Sequence, residues 1–423
     1  MKKLKIAFTG VFDIANYGDL LFPNIFREKM ISMGLNVELF LFSPTSGRKA
    51  LERNTRIFSL DQLEELHHNV GFDSIIVGGG ALIHFNELSQ IFPKSKGFLP
   101  YKISQTWVIP SLLAMKTPIH LYWNSPGVPF EFASEFHPLV EALTNQVEYL
   151  SVRNTSSSLK LEKCIHQMDR IFIVPDTVLI ASQLIEYDRL LRIRNRILNW
   201  AKPYVVFHCN RLIPENELPV IIYNLVELKK MGFEVILLPL AYTHDDQSIL
   251  MKINNMANNQ FIFIKKVLNI YEMMSIIAGS ELYIGISFHG AITAFSYGKK
   301  AIGYNYLHYE KTSQLFNLFH SERYCIDTAE LMQSTIEYIL KDNAQSNLNE
   351  VTHRINEHFD RLYELLTISK SYKSYQSSDS ILLSNSFSNF AKLRDEIDYL
   401  RKQNEWYSKD NNDLRNRLSE FYK

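Results

Sequence analysis

The sequence predicts an α/β protein made of two parallel-sheet domains, followed by a C-terminal coiled-coil helix. Three observations carry this prediction. Short apolar runs alternate with helix-length segments up to about residue 345, the pattern of repeated βαβ units. The alternation falls into two series, joined by the charged helical stretch Leu184–Trp200. A heptad repeat then occupies residues 389–423, beyond the last apolar run.

In the first series, Ile6–Phe12, Val37–Phe42, Ser74–Val77, Ile119–Trp123, Tyr149–Val152 and Ile171–Val174 are expected strands. Their continuous apolar character suits strands covered on both faces. Phe22–Met33 and Leu139–Asn145 are among the expected helices between them. After Lys202-Pro203 the second series begins: Tyr204–Cys209, Glu234–Leu238, Gln260–Ile264, Leu282–Gly285 and Ala301–Tyr306. Two such series predict two Rossmann-like domains, residues 1–185 and 186–345, with a cleft between them. A helix is expected over residues 346–366, and residues 367–388 are serine-rich and polar, as a linker is. In the tail, Phe390, Leu393, Ile397, Leu400, Asn404, Tyr407, Asn411, Leu414, Leu418 and Phe421 recur at spacings of three and four. Asparagines in such a seam fix register and favour a parallel dimer, so a homo-oligomer is the expected state. One amphipathic helix folded back on the body would use the same pattern.

Length and charge narrow the function. A chain of 423 residues exceeds what one core accommodates. Lysine plus arginine and aspartate plus glutamate both number 45, which gives the whole chain no attraction for nucleic acid. Cys164, Cys209 and Cys325 are far apart and form no CxxC, so neither a disulfide framework nor a zinc site is indicated. No stretch of 18 apolar residues exists, and Met1-Lys-Lys-Leu-Lys-Ile6 enters a strand without a signal-peptide core. The cytoplasm is the expected compartment.

Candidate site residues cluster where predicted strands end, which is where open α/β sheets bind ligands. The strongest is Ser287-Phe-His-Gly290, a hydroxyl and an imidazole at a strand-to-helix switch with small residues opening the helix. A histidine there can exchange protons near neutral pH, and the helix N-terminus favours an anion. Asn16-Tyr-Gly-Asp19 follows the first strand; it lacks the closely spaced glycines of a dinucleotide site, and it equally suits a turn with Asp19 on a helix dipole. Gly78-Gly-Gly80 ends a buried strand and suits either a tight turn or close backbone approach to a ligand. Arg153 and Asp176 end two further strands and could simply pair with each other. In the second series Arg211 follows a strand and offers a planar fork for carboxylate or phosphate, and Lys311 is a further anion contact. His244-Asp-Asp246 reads as a solvated loop or helix cap rather than a metal cluster.

Taken in order, Asn16-Tyr-Gly-Asp19, Gly78-Gly-Gly80, Ser151-Val-Arg153 with Ser157, Pro175-Asp176, Ser287-Phe-His-Gly290 and Lys311 resemble the polysaccharide pyruvyltransferase family over residues 5–320. The resemblance implies a GT-B-like arrangement of the two domains. It also implies transfer of a pyruvyl group from phosphoenolpyruvate to a sugar diol as a cyclic ketal, in surface polysaccharide biosynthesis. Phosphoenolpyruvate is then a co-substrate, and no cofactor or metal is expected. The implied roles are proton transfer for His289, with Arg211 as the catalytic cation. Ser287, Gly290 and Lys311 would bind the donor. Asn16, Asp19, Gly79, Gly80, Arg153 and Asp176 would bind the saccharide acceptor. A lipid-linked acceptor would bring the enzyme to the inner face of a membrane. Many members have Arg-Leu-His where this chain has Ser287-Phe-His289, so Arg211 or Lys311 would have to supply the missing positive charge.

Two other readings remain open on sequence alone. An inverting GT-B glycosyltransferase needs only a base and an anion-binding helix end. The paired glutamates of retaining enzymes are missing, since no acidic residue follows His289 before Glu310. A non-catalytic saccharide-binding assembly protein, recruiting partners through its coiled coil, is the third.

Overall fold

The structure is a computed structural model that describes residues 3–48, 51–52, 55–85, 103–198, 202–342 and 348–368. The predicted coiled coil and all but the start of the linker lie outside the described residues. Two compact units are distinguished: residues 1–111 with 119–370, and residues 112–118 with 371–423. The first unit holds every strand and all the residues of the site; of the second, the described part is the end of the helix Gln105–Lys116 and two residues beyond it.

The first sheet contains β1 (Leu4–Thr9), β2 (Val37–Ser43), β3 (Gly47–Arg48), β4 (Arg56–Ser59), β5 (Ser74–Val77) and β6 (His120–Trp123), in the spatial order β3-β4-β2-β1-β5-β6. All pairs are parallel except β3 with β4. Central β1 sets Ile6 opposite Leu39 of β2 on one side and Ser74 of β5 on the other. β7 (Leu150–Val152) and β8 (Ile171–Ile173) form a parallel pair, tied to β6 by the Trp123 amide donating to the Tyr149 carbonyl at 2.9 Å.

The second sheet comprises β9 (Tyr204–His208), β10 (Glu234–Leu237), β11 (Ile262–Phe263), β12 (Leu282–Gly285), β13 (Lys300–Tyr304) and β14 (Cys325–Ile326), ordered β11-β10-β9-β12-β13-β14 and parallel throughout. Counted within itself this is the order 3-2-1-4-5-6 of a doubly wound nucleotide-binding fold. In both sheets the chain reverses direction beside the central strand, between β1 and β5 and between β9 and β12. The segments leaving those four strands carry Asn16, Gly80, Arg211 and, in the helix after β12, His289.

Strand centres agree with the sequence reading, and the differences have local causes. β1 stops at Thr9 rather than Phe12 because the Phe12 amide donates to the Ser43 side chain at 2.9 Å instead of continuing the ladder. The first helix spans Tyr17–Ser32 and begins five residues earlier than predicted. Its start is set from outside, since the Tyr17 amide donates at 2.9 Å to the Leu240 carbonyl, in the segment after β10 of the second sheet. The sequence reading omits β3, β4 and β14: β3 and β14 are two residues long, and β4 has only Ile57 and Phe58 as apolar residues. Of the loop or cap expected at His244-Asp-Asp246, Asp245 is exposed at the cap position of the helix Asp246–Met256, whereas Asp246 is fully buried rather than solvated, accepts from the Leu240 and Ala241 amides and sits 2.8 Å from His208 Nε2.

Specific contacts join the segments around the first sheet to those around the second, each sheet with its helices forming one lobe of the same compact unit. The Tyr242 amide donates to the Ala15 carbonyl at 3.0 Å, and Tyr17 Oη bonds Thr293 Oγ1 at 2.8 Å. Thr293 gives its own proton to the His289 carbonyl, so Tyr17 is the donor. The final helix, Leu348–Thr367, returns to the first lobe, where His358 lies between Tyr149 Oη at 2.9 Å and Asn124 Oδ1 at 3.0 Å. Among the described residues, no helix is long and apolar enough to cross a membrane.

Candidate active site

β12 ends at Gly285 and the helix Phe288–Ser296 follows two residues later. Ser287 caps it, with Oγ accepting from the Gly290 amide at 3.2 Å. Gly290 is packed so closely on Tyr283 that a Cβ would lie 2.2 Å from the phenol oxygen. The cap and this close packing fix the helix start and so the direction of His289.

The other lobe then encloses the imidazole. Phe22 meets it edge-on at 5.3 Å between ring centroids, and a Cβ on Gly18 would stand 2.0 Å from Nδ1. Any larger residue at position 18 would displace the ring. His289 Nε2 lies 3.4 Å from Asp176 Oδ2, within ion-pair range, but makes no hydrogen bond in this geometry. The buried Nε2 thus faces the Asp176 carboxylate, which sets the direction of the imidazole.

Asp176 follows β8 and opens a short turn, with Oδ1 accepting from the Val178 amide at 3.1 Å. Burial works against its charge. The His289 imidazole, the Arg153 guanidinium and the Val178 amide outweigh that cost and hold its carboxyl below the usual value. Arg153 leaves β7 and is 7% exposed. Its Nη1 lies 3.5 Å from Asp176 Oδ2, its guanidinium sits 4.8 Å from the Phe288 ring centre, and its Nε has no hydrogen-bond partner. Lys311 Nζ lies over the same ring at 5.7 Å and over Tyr309 at 5.4 Å. Burial, and the nearby positive charge of Arg153, push its pKa down to about 8.

These groups border a cavity of about 340 Å³ lined by Asn16, Asp19, Gly80, Arg153, His289 and Lys311, among others. Asn16 Nδ2 donates to Asp19 Oδ2 at 2.7 Å, which orients the carboxylate. Gly80 has φ +105°, a left-handed conformation that suits glycine, and a Cβ there would come within 3.0 Å of Asp19 Oδ1. Lys160 also lines the cavity, but its three donors are engaged by Ser156 Oγ, Glu310 Oε2 and the Pro129 carbonyl. Among the described residues of the wall, Arg153 and Lys311 are therefore the cations with capacity for a bound anion. Phe130 and Tyr309 form an aromatic part of the wall, and His84 contributes a second imidazole.

Six of the residues predicted from sequence thus meet around one cavity, with Asp176 in contact behind them. The residues assigned to donor and acceptor lie on the same walls rather than on opposite ones. Four others stand elsewhere. Arg211 is exposed in the turn after β9 and does not line this cavity. Ser287 serves as a helix cap. Gly79 and Gly290 are packing positions, a Cβ on Gly79 falling 2.1 Å from the Phe22 ring. Sequence reading missed Phe22, Lys160, His84, Phe130 and Tyr309 as cavity or site-shaping residues. Lys160 alone left a trace, one helical turn after Ser156 in the segment already singled out.

Comparison with solved structures finds the same fold at low identity. UDP-GlcNAc 2-epimerase from Methanocaldococcus jannaschii aligns with a TM-score of 0.56 at 11% identity, over 86% of this chain and 100% of that one. The Neisseria meningitidis UDP-GlcNAc 2-epimerase gives 0.54 at 11% identity, over 86% and 100%. A glycosyltransferase from Rickettsia africae gives 0.51 at 11%, over 88% and 100%. These likenesses establish a GT-B-like mixed α/β architecture and nothing finer. No curated protein sequence matches the chain. The family model for polysaccharide pyruvyl transferase matches residues 16–309, the span from the first helix cap to the cavity wall at Tyr309, and the chain belongs to that family of transferases.

Proposed function

We propose that the protein transfers a pyruvyl group from phosphoenolpyruvate to two hydroxyls of a sugar, forming a cyclic ketal and releasing phosphate during surface polysaccharide biosynthesis. The observation that carries this is one arrangement: His289 aligned on Asp176 beside Arg153 and Lys311, two cations with donor capacity in a single cavity. Arg153 and Lys311 would neutralise the donor's carboxylate and phosphate, in the place of the arginine missing at Ser287. His289 would deliver a proton to the methylene carbon, leaving the adjacent carbon electrophilic. One sugar hydroxyl then adds to that carbon, and its proton returns to His289. The second hydroxyl displaces phosphate, which departs with the remaining proton. Asp176 would stabilise the imidazolium form between these steps. Asn16, Asp19 and Gly80 would hold the acceptor, with its apolar ring face against Phe130 and Tyr309.

The test is direct. Purified protein with phosphoenolpyruvate and the cell's glycan precursor should release phosphate and add the mass of one pyruvate ketal. His289→Ala should abolish both at unchanged fold. Release of UDP from a sugar nucleotide, with no phosphate from phosphoenolpyruvate, would overturn the proposal in favour of glycosyl transfer.

A further inference from the structure

A second cavity, also about 340 Å³, adjoins the first and shares Arg153, Asn154 and Lys311 with it. Its own lining adds Asp176, Phe288, Asn317 and Arg354, the last from the final helix, Leu348–Thr367. Four charged side chains therefore face it: three cations and one carboxylate. The carboxylate is engaged already by the Val178 amide, Arg153 and His289. Among the described residues the cations outnumber it. Arg153 is 93% buried with Nε unpartnered, and Arg354 makes one bond, Nη2 to the Ile173 carbonyl at 3.2 Å. Lys311 has no carboxylate within ion-pair distance among the described residues. Enclosed positive charge in excess of its counter-charge is costly, and the pKa of Lys311, lowered by burial and by Arg153 and only partly restored by Asp19 and Asp176, is one expression of that cost. The wall also includes Asn154 and Thr155 at the start of the eight-residue helix Thr155–Glu162, whose dipole adds partial positive charge.

We propose that this second cavity is a binding site for inorganic phosphate, with Arg354 in its wall. Guanidinium forks and an ammonium suit a compact tetrahedral dianion, and Ile173, Pro175, Leu179, Phe288, Leu315 and Leu318 form the apolar remainder of the wall. Because Arg153 and Lys311 border both cavities, an anion passing between these side chains would move from the His289 side to the Arg354 side. The use of the site as the exit for released phosphate rests on the reaction proposed above; the site itself does not.

The experiment is calorimetric titration of the full chain with inorganic phosphate in phosphate-free buffer, and separately with phosphoenolpyruvate. Arg354→Gln should weaken phosphate binding at least tenfold and leave phosphoenolpyruvate affinity within twofold. Asn317→Glu, at the exposed rim, should weaken phosphate in the same direction without touching the core. No heat with phosphate for the unaltered protein would overturn the site, as would unchanged phosphate affinity in both variants. Equal losses for phosphate and phosphoenolpyruvate would overturn it as a separate site and merge it with the donor pocket. Phosphate binding that follows Arg354 in a protein with no turnover of phosphoenolpyruvate would sustain the site while the proposed reaction fell.

Discussion

If Lys311 binds the donor as proposed, donor affinity depends on pH. Its ammonium titrates at about 8, lowered first by burial and then by Arg153, with Asp19 and Asp176 partly opposing the shift. If the donor binds only when Lys311 is protonated, apparent affinity falls as pH rises through that value. From about pH 7 to about pH 9 the protonated fraction drops roughly tenfold, equivalent to about 1.4 kcal/mol of binding free energy. A phosphate ester has its second pKa near about 6, so the donor's own charge is constant over this range. Lys311→Arg stays charged throughout and should bind phosphoenolpyruvate with a flat profile above pH 7. Lys311→Met should also be flat but weaker at every pH. The assay is calorimetric binding of phosphoenolpyruvate, which separates affinity from proton transfer at His289. A tenfold decline that persists in Lys311→Arg would refute the reasoning.

Three further outcomes are expected. Gly18→Ala places a methyl group 2.0 Å from His289 Nδ1 and must push the ring from Asp176, so turnover should fall roughly a hundredfold while phosphoenolpyruvate affinity holds; unchanged turnover would show that the imidazole position is irrelevant. Ser287→Ala removes the acceptor for the Gly290 amide and should cost about 1 kcal/mol of stability in urea unfolding, with donor affinity unchanged; a specific loss of donor affinity would restore Ser287 as a donor ligand. His358 is buried, and desolvation pushes its pKa down to about 3. Below about pH 6.5 the unfolded chain therefore binds a proton that the folded chain refuses, and stability falls with decreasing pH until about 3. Between pH 8 and pH 5 this amounts to about 2 kcal/mol, which His358→Gln should remove from the pH profile of unfolding.

Much of this molecule was legible in its sequence. Continuous apolar runs located β5, β9 and β12 because strands buried on both faces must be apolar at every position. The strand-end rule then located His289, Asp19, Gly80, Arg153 and Lys311 near a ligand crevice, since that rule depends only on chain direction in a parallel sheet. Family membership followed from the order of those motifs. Ranking the cations was beyond the sequence. Arg211 and Arg153 both follow strands, but one turns to solvent and the other is enclosed over Phe288, and nothing in either local sequence separates them.

What tertiary structure alone decided is the company each residue keeps. Position 18 is a glycine in the sequence; only docking of the two lobes makes it the floor on which the His289 ring rests. Asp176 and His289 are separated by more than a hundred residues, yet their atoms stand 3.4 Å apart. Arg354, in a helix the sequence left outside both domains, lines a cavity together with Arg153. The physical reason is common to all three. Periodicity and turn chemistry are local properties of the chain and determine elements and strand ends. Charge pairing, desolvation and steric exclusion depend on distances across the interface between lobes, and those distances exist only once both sheets have folded and packed.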